Sequence, residues 1–181
     1  DELKSEEFAD LYADSDEGKR DSGSEYVRET YIESDLELMF PPTYIPNDSE
    51  RISLYRELDN MEEEREILAF TERLKDRFGK VPKEGKELIR VVRLRRMAKT
   101  LGMEKVILKK GQMSIFLVTN PESPYYESEA FDKLLGFIQK HPRECTLREQ
   151  NGKRSIVIKN VPTVEVACNY LDEIGKVQIQ K

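Results

Sequence analysis

The stretch ILAFTERLKDRFGKVPKEGKELIRVVRLRRMAKTLG, residues 67–102, decides the fold. Its first half repeats apolar side chains at three- and four-residue steps: Ile67, Phe70, Leu74 and Phe78. That period lines one face of a helix. The other face carries Glu62, Arg65, Glu72, Arg73 and Asp76. The second half sets Val91, Leu94, Ala98 and Leu101 on one stripe, with Leu88 and Val92 beside it. Arg90, Arg93, Arg95, Arg96 and Lys99 stand between them. Gly79 and Pro82 separate the two helices, since Gly suits the position after a helix and Pro cannot continue one. Most long-range packing is expected to pass through this pair. No residue in it is suited to catalysis, so the question is what so charged a helical pair binds.

Upstream, Asn47, Asp48 and Ser49 offer N-caps for a helix that places Ile52, Tyr55 and Leu58 inward. Asp59 or Asn60 then caps the helix containing Ile67, with Glu62, Glu63 and Glu64 in its first turn, where the dipole favours acids. Three helices therefore run from about Ser49 to Leu101. Earlier still, Leu36, Leu38 and Phe40 alternate with polar neighbours as in a half-buried opening strand over 35–40, stopped by Pro41 and Pro42. Tyr44-Ile45-Pro46 is an extended connector.

Downstream of Gly102 the period becomes two. Val106-Ile107-Leu108 and Ile115-Phe116-Leu117-Val118 flank Lys109-Lys110-Gly111-Gln112 as a β-hairpin. Asn120 to Pro124 is loop. Ser128 caps a helix with Phe131, Leu134, Leu135 and Ile138 inward. A second hairpin pairs Cys145-Thr146-Leu147 with Ile156-Val157-Ile158 around Asn151-Gly152, whose residues tolerate positive φ. Pro162 opens a last helix with Val164, Ala167, Leu171 and Ile174 on one face, ended by Gly175. The fold class is α+β: a helical N-terminal half of three consecutive helices, packed with β-hairpins and two further helices in layers. The β-β-α spacing recurs at 105–140 and 146–174.

The 181 residues are 38% hydrophobic and 36% charged. Residues 1–40 hold 14 acidic and 4 basic residues, whereas residues 41–181 hold 22 acidic and 26 basic. The acidity thus belongs to the N-terminal arm. Residues 1–25 read as an acidic flexible linker, too poor in apolar surface to offset the entropy of ordering, though Phe8, Leu11 and Tyr12 fit one amphipathic turn. Residues 26–181 form the domain. The first residues, Asp-Glu-Leu-Lys, suggest a piece of a longer chain. Cys145 and Cys168 read as reduced core residues of a cytosolic protein. No run approaches the roughly 18 apolar residues that cross a membrane.

The sequence offers little for chemistry. His141 has no clustered Cys or Asp to make a metal site, and a place at a helix C-terminus accounts for it. Neither phosphate-binding glycine motif is present, nor a nucleophile elbow. The carboxylates sit beside Lys and Arg at spacings suited to solvated ion pairs. The basic helix over 88–99 could instead contact phosphates through Arg90, Arg93, Arg95, Arg96 and Lys99. At about 100° per residue, though, these point around the helix and not along one stripe.

Four segments carry a resemblance: DLELMFPPTYIP at 35–46, RISLYREL at 51–58, DRFGKVP at 76–82 and LIRVVRLRRMAKTLG at 88–102. Together they resemble the C-terminal (TRCF) domain of bacterial transcription-repair coupling factors, the Mfd family. The resemblance spans about Asp35 to Ile174. It implies a whole protein that is a cytoplasmic, superfamily-two, ATP- and Mg-dependent translocase on double-stranded DNA. Such proteins displace stalled RNA polymerase and recruit the excision-repair protein UvrA. The resemblance also implies that the domain in hand is non-catalytic, binds no cofactor, packs on a UvrB-like module of the same polypeptide and masks the UvrA-binding surface. The contact it implies is acidic, on the helix leading into Asp76-Arg77-Phe78-Gly79. Asp76 matches that pattern, Glu72 lies beside the next acidic position, and Arg73 occupies it as a re-paired contact. A nucleic-acid-binding accessory domain working through the basic helix is the alternative.

Overall fold

A computed structural model describes residues 26–179. The acidic linker expected over residues 1–25, with its turn at Phe8, Leu11 and Tyr12, lies outside them. Among the described residues the order is β1 (Tyr31–Ser34), α1 (Asp48–Asp59), α2 (Glu64–Phe78), α3 (Lys83–Thr100), β2 (Met103–Lys109) and β3 (Gln112–Leu117). A 3-10 turn (Pro124–Glu127), α4 (Glu129–Lys140), β4 (Cys145–Gln150), β5 (Lys153–Ile158) and α5 (Val164–Gly175) follow. This is the expected α+β layering, and all three consecutive helices and both hairpins are present.

The strands form one mixed sheet in the order β1-β2-β3-β5-β4. β1 runs parallel to β2, from Tyr31 opposite Lys105 to Ser34 opposite Leu108, and the other neighbours are antiparallel. A parallel neighbour needs a crossover, and α1–α3 supply it. The hairpin turns take positive φ at Lys110 (55°) and Asn151 (54°) and at the glycine after each, the conformation of a two-residue turn that follows the strand twist. The two hairpins meet through their second strands, β3 and β5.

The opening strand lies earlier than the alternation at 35–40 suggested. Leu36 and Leu38 are half-buried and Phe40 buried, as expected, yet the ladder ends at Ser34. The cause is the partner. The Asp35 amide donates to the Leu108 carbonyl at 3.0 Å, and the Lys110 amide donates to the Asp35 carboxylate at 2.9 Å. Beyond Lys109 the β2 chain turns back, so residues 36–40 have no strand to pair with.

Two hydrophobic cores share α3. The first lies between the sheet and α3, α4 and α5. It joins Val106, Leu108, Ile115 and Ile158 to Leu94, Ala98, Leu134 and Leu171. The second joins Phe40, Ile45, Leu58, Ile67, Phe70 and Leu74 to Val81, Ile89 and Val92. α3 therefore buries two faces, and the single stripe read from Val91, Leu94, Ala98 and Leu101 is one of them. Val91 itself is only half-buried.

Several positions differ in detail. Ile52, expected inward, is 49% exposed. Arg51 takes the inner position beside it and donates to the Ile45 carbonyl at 2.8 Å, which turns Ile52 away. Neither Asp59 nor Asn60 caps α2. Asn60 closes α1 through the Arg56 carbonyl, and Glu63 occupies the α2 N-cap without a side-chain bond. The first-turn acids are consequently Glu64 and Glu66. In α4 the buried line is Ala130, Leu134 and Phe137, with Phe131, Leu135 and Ile138 half-buried. Pro124 opens the 3-10 turn and is not the end of a loop.

That turn carries Tyr125, fully buried, whose hydroxyl donates to the Leu101 carbonyl at 2.8 Å. Its ring lies where a side chain on Gly102 would stand. A Cβ there would meet Tyr125 Cε2 at 2.1 Å, at a φ of +77°. The Leu-Gly that ends the second helical motif is thus a packing requirement as well as a helix stop.

Candidate functional site

The α2 face turned away from the core is built by elimination. Ile67, Phe70 and Leu74 are buried. Side chains at i, i+4 and i+8 on the opposite side therefore project together: Leu68, Glu72 and Asp76, spanning about 12 Å along the axis. All three are exposed, Leu68 by 54%. Glu72 makes only a loose contact with Lys75, at 3.4 Å. Asp76 has no hydrogen-bond or ion-pair partner among the described residues.

Arg73 behaves differently from its two neighbours. It ion-pairs with Glu57 of α1, and its guanidinium lies 5.7 Å from the centre of the Phe70 ring. Arg77 does the same one turn on, pairing with Glu50 and lying 5.1 Å from the Phe78 ring centre. Arg73 and Arg77 thus lean toward α1, and Glu72 and Asp76 are left outward. Asp76 and Glu72 share one stripe, while Arg73 is drawn off it. Leu68 was missed in the sequence because its neighbours Ile67 and Phe70 dominate the pattern. The signal was its i, i+4 spacing to Glu72.

The five cations of α3 between residues 88 and 99 do not converge. Arg93 and Arg96 both bond the Glu64 carboxylate, at 2.8 and 3.2 Å. Arg95 bonds the Asp59 carboxylate at 2.7 Å and the Asp59 carbonyl at 2.6 Å. Arg90 lies 3.3 Å from Glu87 and 3.6 Å from Glu165. Lys99 is exposed and has no ion pair among the described residues. Three of the four arginines therefore fasten α3 to α1 and α2.

Glu87, on the same helix, is a buried carboxylate that nothing in the sequence singles out. Its Oε1 accepts from the Val164 amide at 3.0 Å and its Oε2 from the Glu165 amide at 3.1 Å. Thr163 Oγ1 accepts from the next amide, Val166, at 3.1 Å. The first three amides of α5 are thereby satisfied, two of them by a side chain 77 and 78 residues away. This carboxylate is structural.

No group of three or more His, Cys, Asp or Glu among the described residues is placed to hold a metal ion. The His141 amide closes α4 through the Phe137 and Ile138 carbonyls, and its ring stacks on Phe137 at 4.3 Å. Cys145 and Cys168 are free thiols, and burial pushes both up to about 11. Arg90 and Arg93 oppose that rise at Cys168 without reversing it. No described helix is long and apolar enough to cross a membrane.

The transcription-repair-coupling factor of Escherichia coli K12 is 29% identical over 121 residues, covering 66% of this chain and 10% of that protein. That of Mycobacterium tuberculosis is 30% identical over 101 residues, covering 56% and 8%. That of Borreliella burgdorferi is 26% identical over 132 residues, covering 72% and 11%. The chain spans about a tenth of the length of these curated relatives. A crystal structure of the C-terminal domain of a transcription-repair coupling factor shares the fold, with a TM-score of 0.64 at 15% identity, covering 82% of this chain and 94% of that one. The TRCF domain family model matches residues 34–128, from the end of β1 through α1–α3 and the first hairpin to Ser128. On that match the chain belongs to the TRCF domain family.

Proposed function

We propose that this domain is a non-catalytic regulatory clamp within a transcription-repair coupling factor. It holds the resting protein closed by packing on a UvrB-like module of the same polypeptide and covering the surface that UvrA binds. The observation that carries the reading is the outer stripe of α2. Asp76 and Glu72 project from it without strong partners, around an exposed Leu68. A carboxylate left unpaired beside an apolar side chain suits a partner that offers arginines around an apolar contact. Arg73, committed to Glu57, serves as the fixed edge of that face and not as its centre.

Such a clamp need not be strong. About 2–3 kcal/mol keeps the open state at a few per cent or below, and still lets a domain rearrangement release it. Domain interfaces within a chain are typically polar enough to reopen. The alternative, nucleic-acid binding through residues 88–99, has less support. Arg90, Arg93, Arg95 and Arg96 each already face a carboxylate, so phosphate would have to displace an existing ion pair at four of the five positions.

Asp76→Arg in the full-length protein tests the reading. Reversing the charge is expected to raise UvrA affinity at least about tenfold, or 1.4 kcal/mol. Unchanged affinity would remove Asp76 from the interface. Unchanged affinity in an Asp76→Arg/Leu68→Glu double variant would remove the α2 face altogether.

A further inference from the structure

A groove of about 420 Å³ between α1 and α3 is lined by apolar side chains over which the described residues place nothing. Leu38, Tyr55, Leu88 and Val91 are half-exposed there, above buried Leu58 and Val92. Arg56, Asp59 and Arg95 form its rim. At Asp59 and Arg95 the groove runs into a wider cleft of about 740 Å³. Arg28 and Lys99, neither in an ion pair among the described residues, line that cleft with Arg96, which pairs with Glu64, opposite Glu29 and Glu62. Arg28 stands two residues after the start of the described chain. The polypeptide before Tyr26 therefore joins the domain beside the basic end of the cleft.

We propose that the occupant of this groove is the N-terminal arm of the same chain, through residues 6–17, EEFADLYADSDE. Phe8, Leu11 and Tyr12 fall at i, i+3 and i+4, the spacing of one apolar face. From Ala13 to Glu25 the arm carries no large apolar residue. Residues 1–25 hold ten acidic and three basic side chains. The order along the chain matches the order on the surface. Leaving Tyr26, the acidic run from Glu25 back to Asp14 meets Arg28 and Lys99. The apolar triplet then meets the apolar groove, with Arg56 beside its flanking acids.

The tether makes this contact easy to populate. Tyr12 and Tyr26 are fourteen positions apart, an extended reach of about 45 Å. A domain of this size is about 40 Å across, so the groove is within range. A short tether gives an effective concentration in the millimolar range, and a contact with a Kd of about 1 mM would already be half-occupied. The inference concerns a different face from the outer stripe of α2 and does not depend on it.

Amide NMR spectra of the 181-residue chain test it, comparing wild type with a Phe8→Ser/Leu11→Ser/Tyr12→Ser variant. Unchanged amide shifts at Val106 and Ile115, in the sheet core, control for folding of the variant. Amide shifts are expected at Leu38, over residues 52–59 and over residues 88–95, unchanged when the protein is diluted tenfold. Arg56→Glu and about 0.5 M salt should each move the wild-type spectrum toward that of the variant. Shifts confined to residues 1–25 would overturn the proposal and leave the groove for another partner. Shifts that vanish on dilution would also overturn it, because a second copy and not the chain's own arm would then fill the groove.

Discussion

Glu87→Ala should be the most damaging single polar substitution in the domain. The carboxylate receives two backbone N–H groups at 3.0 and 3.1 Å and is 6% exposed. A hydrogen bond to a charged group contributes about 1.5–3 kcal/mol net. The two share one side chain and are not additive, so about 3 kcal/mol is the expected loss. Alanine offers no acceptor and leaves the first two amides of α5 buried against a void, while Arg90 loses its nearer partner at 3.3 Å. With a urea slope of about 2 kcal/mol/M for a domain of this size, the unfolding midpoint should fall by about 1.5 M. Glu87→Gln keeps one oxygen acceptor and should lose less. Lys86→Ala, one residue away and exposed, is the control and should shift the midpoint by no more than about 0.25 M. A midpoint for Glu87→Ala equal to that of Lys86→Ala would refute the assignment of this carboxylate as the cap of α5.

Gly102→Ala drives a methyl group into the Tyr125 ring and forces an L side chain to +77°. A loss of about 3 kcal/mol or more is expected in thermal unfolding, and Tyr125→Leu in the same chain should recover part of it. Leu68→Glu and Asp76→Arg, both exposed, should each leave the unfolding midpoint of the isolated domain within about 0.5 kcal/mol of wild type. That would separate any effect on partner binding from an effect on folding. The Glu64 carboxylate shared by Arg93 and Arg96 is half-exposed, so a double-mutant cycle of Glu64→Gln with Arg93→Ala should give a coupling of about 0.5–1 kcal/mol that shrinks in high salt. Stability should decline as pH rises from about 9 to about 11. In that window the thiols of the unfolded chain ionise, while burial keeps Cys145 and Cys168 protonated in the folded domain. A Cys145→Ala/Cys168→Ala variant should flatten that decline, as read by denaturant midpoints across the range.

The helical half was legible because its signals are local. The three- and four-residue steps at Ile67, Phe70 and Leu74, and the break at Gly79-Lys80-Val81-Pro82, need no knowledge of what surrounds them. The hairpins were legible for the same reason, through Lys110-Gly111 and Asn151-Gly152. What could not be read was set by distant partners. The alternation at Leu36, Leu38 and Phe40 is real in burial, yet a strand exists only where β2 lies alongside, and β2 turns away at Lys109. Ile52 lost its inward place to Arg51 because the Ile45 carbonyl needed a donor. α3 looked like a helix with one apolar stripe because a second core, with Ile89 and Val92, was not foreseeable from the helix alone. At the candidate site, Asp76 and Glu72 were legible by spacing, while the commitment of Arg73 to Glu57 was not, since Glu57 lies on another helix. Glu87 left no trace in sequence, because its partners are backbone amides 77 and 78 residues on.

The sharing of α3 by two cores bears on where this domain can be cut. The match to the family model ends at Ser128, which tempts an expression fragment of residues 34–128. Such a fragment keeps the α1–α2 side of α3 and discards most of what covers the other. Leu94 and Ala98 would lose α5, β3 would lose β5 along one edge, and β2 would lose β1 along another. The carboxylate of Glu87 would be left without the amides it caps. The stretch over which similarity is detected is therefore shorter than the stretch that must fold together. A single-domain fragment has to include Tyr26 through Gly175.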